Sequence, residues 1–437
     1  MFNSKKLSTL VVMLVSSLIF FNCSPKTDNV TGLNYNLKVK VDPDLHKLLV
    51  TATIQAPPSG RFYLYNGMNI NKVLVNGEPA ACHFDSTAGS LQYTVGTARV
   101  IDVPDIRELT LEYSGTIPDI INGVNMISAD WVELAYYSAW YPIFEGNSDY
   151  PFVLQADLPE GYITTTNGVL SGQTKENGRN ITTWKSMHPG MDMVLMGGPG
   201  LKLLTDNSTG LQIEMYYQNM PTDRLQSLAD HMKTAMREYT DLYGVSRAGG
   251  LLRFVYAPRG GWGYSRVPLF LVSEGWASGE IHTEQGMARA LHGSYHEMAH
   301  FWWMLANTQT PNDWINEGLA EFSAFRMSRE HAGQAFADSL LQEYHRDIAA
   351  SRTHDAIAET EGTSPDRYVN RYEKTTLMFW EAQQKFGKEK LDRAIRTIYT
   401  QFQGRHDLTT DDFLRIVGEQ CGEDAAAFFR TRLYQKG

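Results

Sequence analysis

Four residues in two neighbouring segments constrain this chain more than any other feature of its sequence. His296 and His300 enclose Glu297 in the run His-Glu-Met-Ala-His, and Glu317 follows His300 by 17 positions. Residues four apart on a helix lie on one face, about 6 Å apart along the axis. Both imidazoles can therefore reach one ion, with Glu297 beside it. The spacing predicts a helix that ends near this run and a second helix that brings Glu317 to it.

The ligand types predict which ion binds here. Two neutral imidazole nitrogens and one carboxylate oxygen, with a fourth position left to water, are typical of a catalytic zinc ion and not of a structural one. Two buried histidines satisfied by backbone carbonyls are the alternative. That alternative does not explain Glu297, because a carboxylate in an apolar helix is costly unless a cation offsets its charge. We therefore predict one Zn²⁺ per chain, bound by His296, His300 and Glu317.

Glu321 lies one turn after Glu317, on the same face of the second predicted helix. A carboxylate at this position can accept the outward N–H of a ligand histidine, which fixes the tautomer and makes the metal-binding nitrogen more basic. An acid on the helix surface, paired with Arg329 or with solvent, is the alternative. We predict that Glu321 supports the metal ligands.

The pattern of apolar residues changes once along the chain, near Pro221. From residue 33 to 218 it alternates as strands do, for example at residues 33–41, which predicts an all-β, sandwich-like domain. From residue 219 to 437 long segments have helical spacing around a buried strand at 251–257, which predicts a mainly helical α+β domain. A length of 437 residues suits two or three domains. Predicted helices cover residues 223–243, 313–331, 333–351, 372–386, 387–402, 409–420 and 423–434, and a further helix begins near Gln285.

The N-terminus predicts export. Two lysines precede an apolar run at residues 7–21, which is too short to span a bilayer comfortably and has the form of a signal peptide. Cys23 follows this run, which resembles a bacterial lipoprotein signal that is cleaved before Cys23 and lipidated on it. A plain secretory signal cleaved nearby is the alternative. We predict a signal peptide at 1–22, a tether at 23–32, and a lipid anchor that holds the exported protein at a membrane, facing the periplasm or the cell surface.

The charge of the chain excludes some partners. The formal net charge is −10, and removal of the predicted signal peptide makes it −12, because that peptide contains two lysines and no acidic residue. An acidic surface repels phosphate groups, so we expect neither nucleic acid nor anionic lipid head groups as partners. The chain is 43% hydrophobic and 20% charged, which argues against extended disorder.

Three motifs are similar to those of the aminopeptidase N family of gluzincin zinc peptidases. They are the run from His296 to His300, the segment Trp314-Ile315-Asn316-Glu317-Gly318, and the segment Tyr372-Glu373-Lys374. The resemblance implies a short form without the C-terminal helical domain of longer members, and a thermolysin-like catalytic domain at 219–437. The roles it implies are metal ligation by His296, His300 and Glu317, general-base catalysis by Glu297, and stabilisation of the oxyanion by Tyr372.

The chain departs from the family pattern at the segment that holds the free amine of a substrate. Family members carry Gly-x-Met-Glu-Asn before the zinc-binding helix, whereas this chain has residues 260–266 there, and the next acid is Glu274. The amine-binding carboxylate is therefore missing from its expected place. We predict that Gly261, Trp262 and Gly263 contact the substrate, but the sequence leaves open whether terminal residues are removed or peptides are cut internally.

Peptide-bond hydrolysis by zinc-activated water is the predicted activity, with peptides as substrates. Two alternatives stay open: the same ion can serve hydrolysis of a non-peptide bond, or the protein can be a surface-binding lipoprotein that keeps zinc without turnover. The missing amine-binding carboxylate favours the second alternative. Glu297 and Tyr372 count against it, because a protein without catalysis has no physical need for either. The sequence does not specify an oligomeric state.

Overall fold

The computed structural model describes ten segments of the chain: residues 32–56, 60–80, 83–85, 98–103, 106–117, 124–145, 149–208, 210–274, 283–352 and 355–436. The predicted signal peptide, Cys23 and almost all of the predicted tether lie outside these segments. Along the described part of the chain, no helix has both the length and the apolar composition that crossing a membrane requires.

The described residues up to Gly198 form three β-sheets. The largest has eight strands, and its central strands alternate exposed and buried side chains, because successive side chains of a strand point to opposite faces. In sheet order these strands are β14 (Gly168–Glu176), β15 (Arg179–Ser186), β12 (Phe152–Pro159), β1 (Asn34–Asp42), β2 (Lys47–Gln55), β8 (Glu108–Thr116), β4 (Asn69–Val75) and β5 (Glu78–Pro79).

Two four-stranded sheets pack against the large sheet. All three sheets contribute to one apolar core, for example through Leu111, Val132 and Phe62. The first small sheet has the order β13 (Ile163–Thr165), β16 (Leu195–Gly198), β10 (Val132–Leu134) and β9 (Met126–Ile127). The second has the order β11 (Ile143–Phe144), β3 (Gly60–Tyr65), β7 (Ala98–Val103) and β6 (His83–Asp85). The β-rich first half that the sequence predicts is confirmed.

A fourth sheet joins the two halves of the sequence. Its order is β17 (Lys202–Asp206), β18 (Gln212–Tyr217), β19 (Leu251–Ala257), β21 (Leu269–Ser273) and β20 (Tyr264–Arg266). β18 and β19 run parallel, with Met215 beside Phe254. The domain boundary predicted at residue 218 therefore lies between two strands of one continuous sheet.

Helices make up most of the chain after residue 218. Their bounds are α1 (Thr222–Tyr243), α2 (Glu284–Ala299), α3 (Trp314–His331), α4 (Gln334–Ala349), α5 (Thr375–Phe386), α6 (Lys388–Phe402), α7 (Thr410–Cys421) and α8 (Glu423–Tyr434). Each lies within a few residues of a segment predicted from apolar spacing. The segment 372–386 is helical as predicted, but its first residues belong to a π-helical turn, Val369–Lys374, that precedes α5.

Ser323 joins three helices in the core of the second half. Its hydroxyl accepts a hydrogen bond from Trp303 Nε1 at 2.9 Å and lies 3.0 Å from the hydroxyl of Tyr243. Trp303 follows the end of α2, Tyr243 ends α1, and Ser323 lies in α3. These bonds therefore fix the three helices relative to one another, and the cleft described below is built on α2 and α3.

Candidate metal centre and cleft

One face of α2 forms the floor of a cleft. Arg289, His292, His296 and His300 are spaced three or four residues apart, so they follow one another along that face, and all four line the cleft. Thr283 caps the helix, since its side chain accepts a hydrogen bond from the backbone of the first turn at 2.9 Å. Most of the other residues of α2 are buried. The predicted ligands therefore lie at the end of a helix that is held by its surroundings.

Asn316 places the start of α3 beside the end of α2. Its Oδ1 accepts hydrogen bonds from the backbone N–H groups of Leu305 and Ala306, at 2.8 and 3.0 Å. Its Nδ2 donates to the carbonyl of Ala306 at 2.9 Å. These bonds close the loop that follows His300, and Glu317, the next residue, then faces the histidines from the first turn of α3.

His296, His300 and Glu317 bring three ligand atoms together. The two Nε2 atoms are 3.2 Å apart, and Glu317 Oε2 lies 3.5 Å from that of His296 and 3.3 Å from that of His300. A tetrahedral Zn²⁺ with bonds of about 2.1 Å separates its ligand atoms by about 3.4 Å. Among the described residues, no other group of three His, Cys, Asp or Glu side chains brings its ligand atoms within 4.8 Å of one another. The ligand types and their spacing fit zinc.

Each imidazole is oriented by a bond to its other nitrogen. His300 Nδ1 lies 3.0 Å from the carbonyl of Trp303, which can only accept, so Nδ1 carries the hydrogen and Nε2 presents its lone pair. His296 Nδ1 lies 2.7 Å from Glu321 Oε2, with the same consequence. Both lone pairs therefore face Glu317, which is the arrangement that a metal ion requires of neutral histidine ligands.

Glu321 has more partners than its predicted role requires. Besides His296, it accepts a hydrogen bond from the hydroxyl of Tyr344 at 2.6 Å, and its Oε1 lies 2.9 Å from His292 Nε2. Burial acts to raise the pKa of Glu321, but the contacts with His292 and His296 outweigh burial and hold it well below the ordinary value. Arg329, the alternative partner, instead donates to a glutamine side chain at 2.8 Å.

Glu297 is held between α2 and the loop at residues 260–263. A Cβ atom added to Gly263 would lie 2.6 Å from Glu297 Oε1 and 2.7 Å from the backbone carbonyl oxygen of Leu271, which cannot move aside, so this position requires glycine. Burial raises the pKa of Glu297 above its ordinary value, while His296 and His300 act to lower it. The carboxylate of Glu297 lines the cleft next to the three ligand atoms.

Tyr372 lies in the π-helical turn, a conformation that is frequent at functional sites. Its ring stacks on that of His296, with centroids 5.4 Å apart and an angle of 16° between the planes, and it also stacks on Tyr368 at 4.6 Å. Burial raises the pKa of the Tyr372 hydroxyl well above its ordinary value, and the charge of Glu317 raises it further. Tyr372 is therefore a neutral phenol that can donate a hydrogen bond beside the metal centre.

The cleft has a volume of about 650 Å³, and Gly261, Trp262 and Gly263 line it as predicted for substrate-contacting residues. The side chain of Trp262 is 54% exposed. Arg259 holds this loop in place, because its Nη1 donates to the carbonyls of Gly260 and Trp262 at 2.8 and 2.9 Å. Arg259 thus fixes the loop, and the backbone of the loop's glycines lines the cleft.

A buried ion pair that the sequence analysis missed fixes Arg259 in turn. Glu133 is fully buried and accepts from Arg259 Nε and Nη2, both at 2.8 Å, although 126 positions separate the two residues. The one indication of this pair in the sequence is that Glu133 is a charged residue within the otherwise apolar strand β10. Glu274, the next acid after the loop, accepts instead from the backbone N–H groups of Gln218 and Asn219, at 2.7 and 2.8 Å. Both acids are therefore already paired within the protein.

The Arg289 end of the cleft carries three further carboxylates that the sequence analysis did not single out. Glu343 and Asp347 lie one turn apart on α4, and Glu373 follows Tyr372 in the chain; we call these three residues the carboxylate pocket. Burial, followed by the negative charges of Asp347, Glu321 and Glu343, raises the pKa of Glu373 to about 8.

Solved structures of the same architecture are zinc metallopeptidases. The M1 zinc metallopeptidase from Deinococcus radiodurans aligns over 93% of this chain and 94% of its own, with a TM-score of 0.70 and 15% sequence identity. A variant of that protein bound to a Tyr-Ser-Ala substrate gives a TM-score of 0.71 at 16% identity, over 93% of this chain and 95% of its own. The fold is that of M1 zinc metallopeptidases.

The M1 fold also includes larger proteins. Aminopeptidase A from Legionella pneumophila, solved with aspartic acid, matches 93% of this chain with a TM-score of 0.74 and 16% identity, but this chain covers 49% of that protein. No protein-family model matches the sequence, and no curated protein matches it. Identities of 15–16% establish the M1 fold, so the activity has to be argued from the residues of the site.

Proposed function

We propose that this protein is a zinc-dependent metallopeptidase that binds one Zn²⁺ through His296, His300 and Glu317. One observation carries the proposal. The three ligand atoms lie 3.2–3.5 Å apart, which is the spacing of a tetrahedral zinc site, and the bonds to the outer nitrogens leave both imidazole lone pairs facing Glu317. A structural zinc ion would use four protein ligands, whereas this site supplies three.

The bound ion would supply a water molecule of lowered pKa and a Lewis acid for the carbonyl of the peptide. Glu297, next to the ligands and facing the cleft, takes the proton from the attacking water and passes it to the leaving nitrogen. The neutral hydroxyl of Tyr372 donates a hydrogen bond to the oxyanion that forms. Glu321 keeps His296 in its metal-binding tautomer.

Peptides are the proposed substrates, for two reasons. The backbone of Gly261 and Gly263 lies open at the cleft, so an extended peptide can form hydrogen bonds along this loop. In addition, a structure with the M1 fold holds a Tyr-Ser-Ala substrate. Whether the enzyme removes terminal residues or cuts internally stays open. Glu133, which pairs with Arg259 behind the loop, and Glu274, the next acid after the loop in the sequence, are both engaged within the protein.

The proposal extends to the parts of the chain that are not described. We infer a signal peptide at 1–22, lipidation of Cys23, and a tether at 23–32 that holds the protein at a bacterial membrane. We also propose that a β-sandwich-like domain at 33–218 and a thermolysin-like catalytic domain at 219–437 belong to a gluzincin related to aminopeptidase N. The support is the apolar run before Cys23 and the three motifs that begin at His296, Trp314 and Tyr372.

The test is a joint measurement of zinc content and turnover. The full chain is expected to bind one zinc ion and to hydrolyse members of a mixed peptide library, with activity lost to a chelator and restored by zinc. His300→Ala should lose both zinc and activity, whereas the matched variant of the exposed His345, His345→Ala, should keep both. Hydrolysis that persists without zinc would refute the proposal. Zinc binding without hydrolysis of any peptide would favour a binding protein or a hydrolase of another bond.

A further inference from the structure

The carboxylate pocket has more carboxyl groups than the described cations around it pair with. Glu343 pairs with Arg289 of α2 at 2.9 Å. Asp347 pairs with Arg346 at 3.0 Å, but the side chain of that arginine is 69% exposed, and exposed pairs are weak. No described residue forms an ion pair with Glu373. One carboxylate of the pocket therefore lacks a charged partner.

Glu373 is the residue of the pocket that indicates a ligand. It is 2% exposed, it lines the cleft, and its Oε2 has no hydrogen-bond partner among the described residues. Its neighbour Glu321 shows how a buried carboxylate of this cleft is otherwise satisfied, with three partners in His292, His296 and Tyr344. A buried carboxylate without a partner is costly, so a cation that binds at Glu373 gains the energy of that missing interaction.

The walls beside Glu373 suit a long apolar stem that ends in a positive charge. Leu340, Tyr344 and Tyr368 line this part of the cleft, and the side chain of Tyr368 is 55% exposed. Lysine and arginine side chains lay their methylene stems along such surfaces while the charged end finds a polar partner. The pocket therefore has both parts of a binding site for a basic side chain.

A bare metal ion fits the pocket less well than an organic cation. A metal site needs its ligand oxygens close together, but oxygens from all three carboxylates do not come within 4.8 Å of one another. An ammonium with three donors, or a guanidinium with five, can reach between carboxylates that stand further apart.

We propose that the carboxylate pocket binds a primary ammonium or guanidinium group of a peptide, with Glu373 as the buried partner of that group. The inference rests on the proposed peptidase function and gives its substrate a chemical class. Two parts of a peptide carry such a group, a lysine or arginine side chain and the free N-terminal amine. Because Tyr372 and Glu373 line the same cleft, one bound peptide can reach both.

Peptide binding tests the pocket separately from turnover. The full chain is loaded with zinc and carries Glu297→Gln, so that peptides are not consumed. The probes are hexapeptides with either lysine or norleucine at one position, which is moved along the peptide, and each is made with a free and with an acetylated N-terminus. We expect at least about tenfold tighter binding of the cationic member of a pair, the lysine peptide if the side chain binds and the free peptide if the amine binds.

A second substitution assigns that preference to the pocket. Adding Glu373→Gln should remove most of the preference without lowering the melting temperature, whereas Glu381→Gln, at a half-exposed acid of α5, should leave it intact. If Glu373→Gln does not fold, Asp347→Asn is expected to reduce the preference several-fold. Equal binding of cationic and neutral probes, or a preference that survives both substitutions, would overturn the proposal.

Hydrolysis of the same peptides by the unsubstituted chain separates the two proposals. Turnover without any charge preference in binding would leave the peptidase standing and refute the pocket. Charge-dependent binding that Glu373→Gln abolishes, without turnover of any peptide, would support the pocket and refute the peptidase.

Discussion

The metal centre and the carboxylate pocket lie in one cleft but differ in how their side chains are held. At the metal centre both histidines are bonded on the nitrogen that faces away from Glu317, so their orientation is fixed before anything binds. In the pocket, Glu373 is as deeply buried as His296, yet its Oε2 has no partner. We infer that contacts within the protein orient the metal-binding histidines, whereas one carboxylate of the substrate-binding cleft gains a partner only when substrate binds.

Loss of Glu297, the proposed general base, should reduce activity more than any other substitution considered that keeps the three zinc ligands. Glu297→Gln keeps the shape of the side chain but removes the proton acceptor, so we expect kcat to fall by about 10²–10⁴-fold. Zinc content, measured by mass spectrometry, should not change. The matched variant Glu284→Gln, at an exposed acid on the same helix, should retain full activity. Undiminished turnover by Glu297→Gln would exclude Glu297 as the general base.

Tyr372→Phe should have the next largest effect. The phenylalanine ring can still stack on His296, but the hydrogen bond to the oxyanion is lost, so we expect kcat to fall by about 10²–10³-fold. KM and zinc content should change little. A comparison of kcat with that of Tyr434→Phe, a surface variant, checks this. A change confined to KM would mean that Tyr372 binds substrate and does not stabilise the oxyanion.

Glu321→Gln tests whether the metal centre depends on its outer bonds. The amide is a weaker acceptor for the N–H of His296, so we expect zinc affinity to fall by about 10–100-fold. Competition with a chelator of known affinity measures this. Glu330→Gln, at an exposed acid of the same helix, is the control. An unchanged affinity would mean that packing alone orients His296.

Glu373→Gln should have the smallest effect, and it should stabilise the folded protein, whereas the other substitutions impair activity or zinc binding. The pKa of Glu373 is raised to about 8 in the folded chain, from an ordinary value of 4.5, so the folded state binds more protons than the unfolded state between these values. The stability of the native protein should therefore fall as the pH rises from about 4.5 to about 8. The variant lacks this loss and should be more stable at pH 8 by roughly 1–3 kcal/mol.

Urea unfolding at pH 5 and pH 8, with Glu381→Gln as control, measures this difference. A native chain whose stability does not fall over this range would show that Glu373 already has a partner in solution. The same experiment with a bound cationic peptide should reduce the difference between native chain and variant, because the ligand stabilises the ionised carboxylate.

Features that depend on local periodicity could be predicted from the sequence. His296 and His300 are four residues apart on one helix, and Glu317 starts the next, so a short loop is enough to bring them together. The buried strand β19 and the eight helices were likewise predictable, because apolar spacing repeats along each of them. The π-helical turn before α5 was not, since it changes the register of a helix without changing its apolar pattern.

Features that depend on long-range pairing could not be predicted. Nothing near Glu133 in the sequence indicates that Arg259 is its partner, because that pair forms only when β10 and the loop after β19 come together. For the same reason, the sequence shows that Glu373 is acidic, but it does not show that Glu373 lies close to α4. The parallel pairing of β18 with β19 across helix α1 was missed as well, and it places two strands of the first half in the sheet of the second.

That shared sheet has a practical consequence for anyone who wants the zinc-binding half alone. A protein cut at residue 219 would lose β17 and β18 and leave the backbone groups along one side of β19 without hydrogen bonds. An unpaired strand edge of this kind attracts strands from other copies and promotes aggregation. A fragment that begins ahead of Lys202 keeps this edge covered and is the better choice for expression.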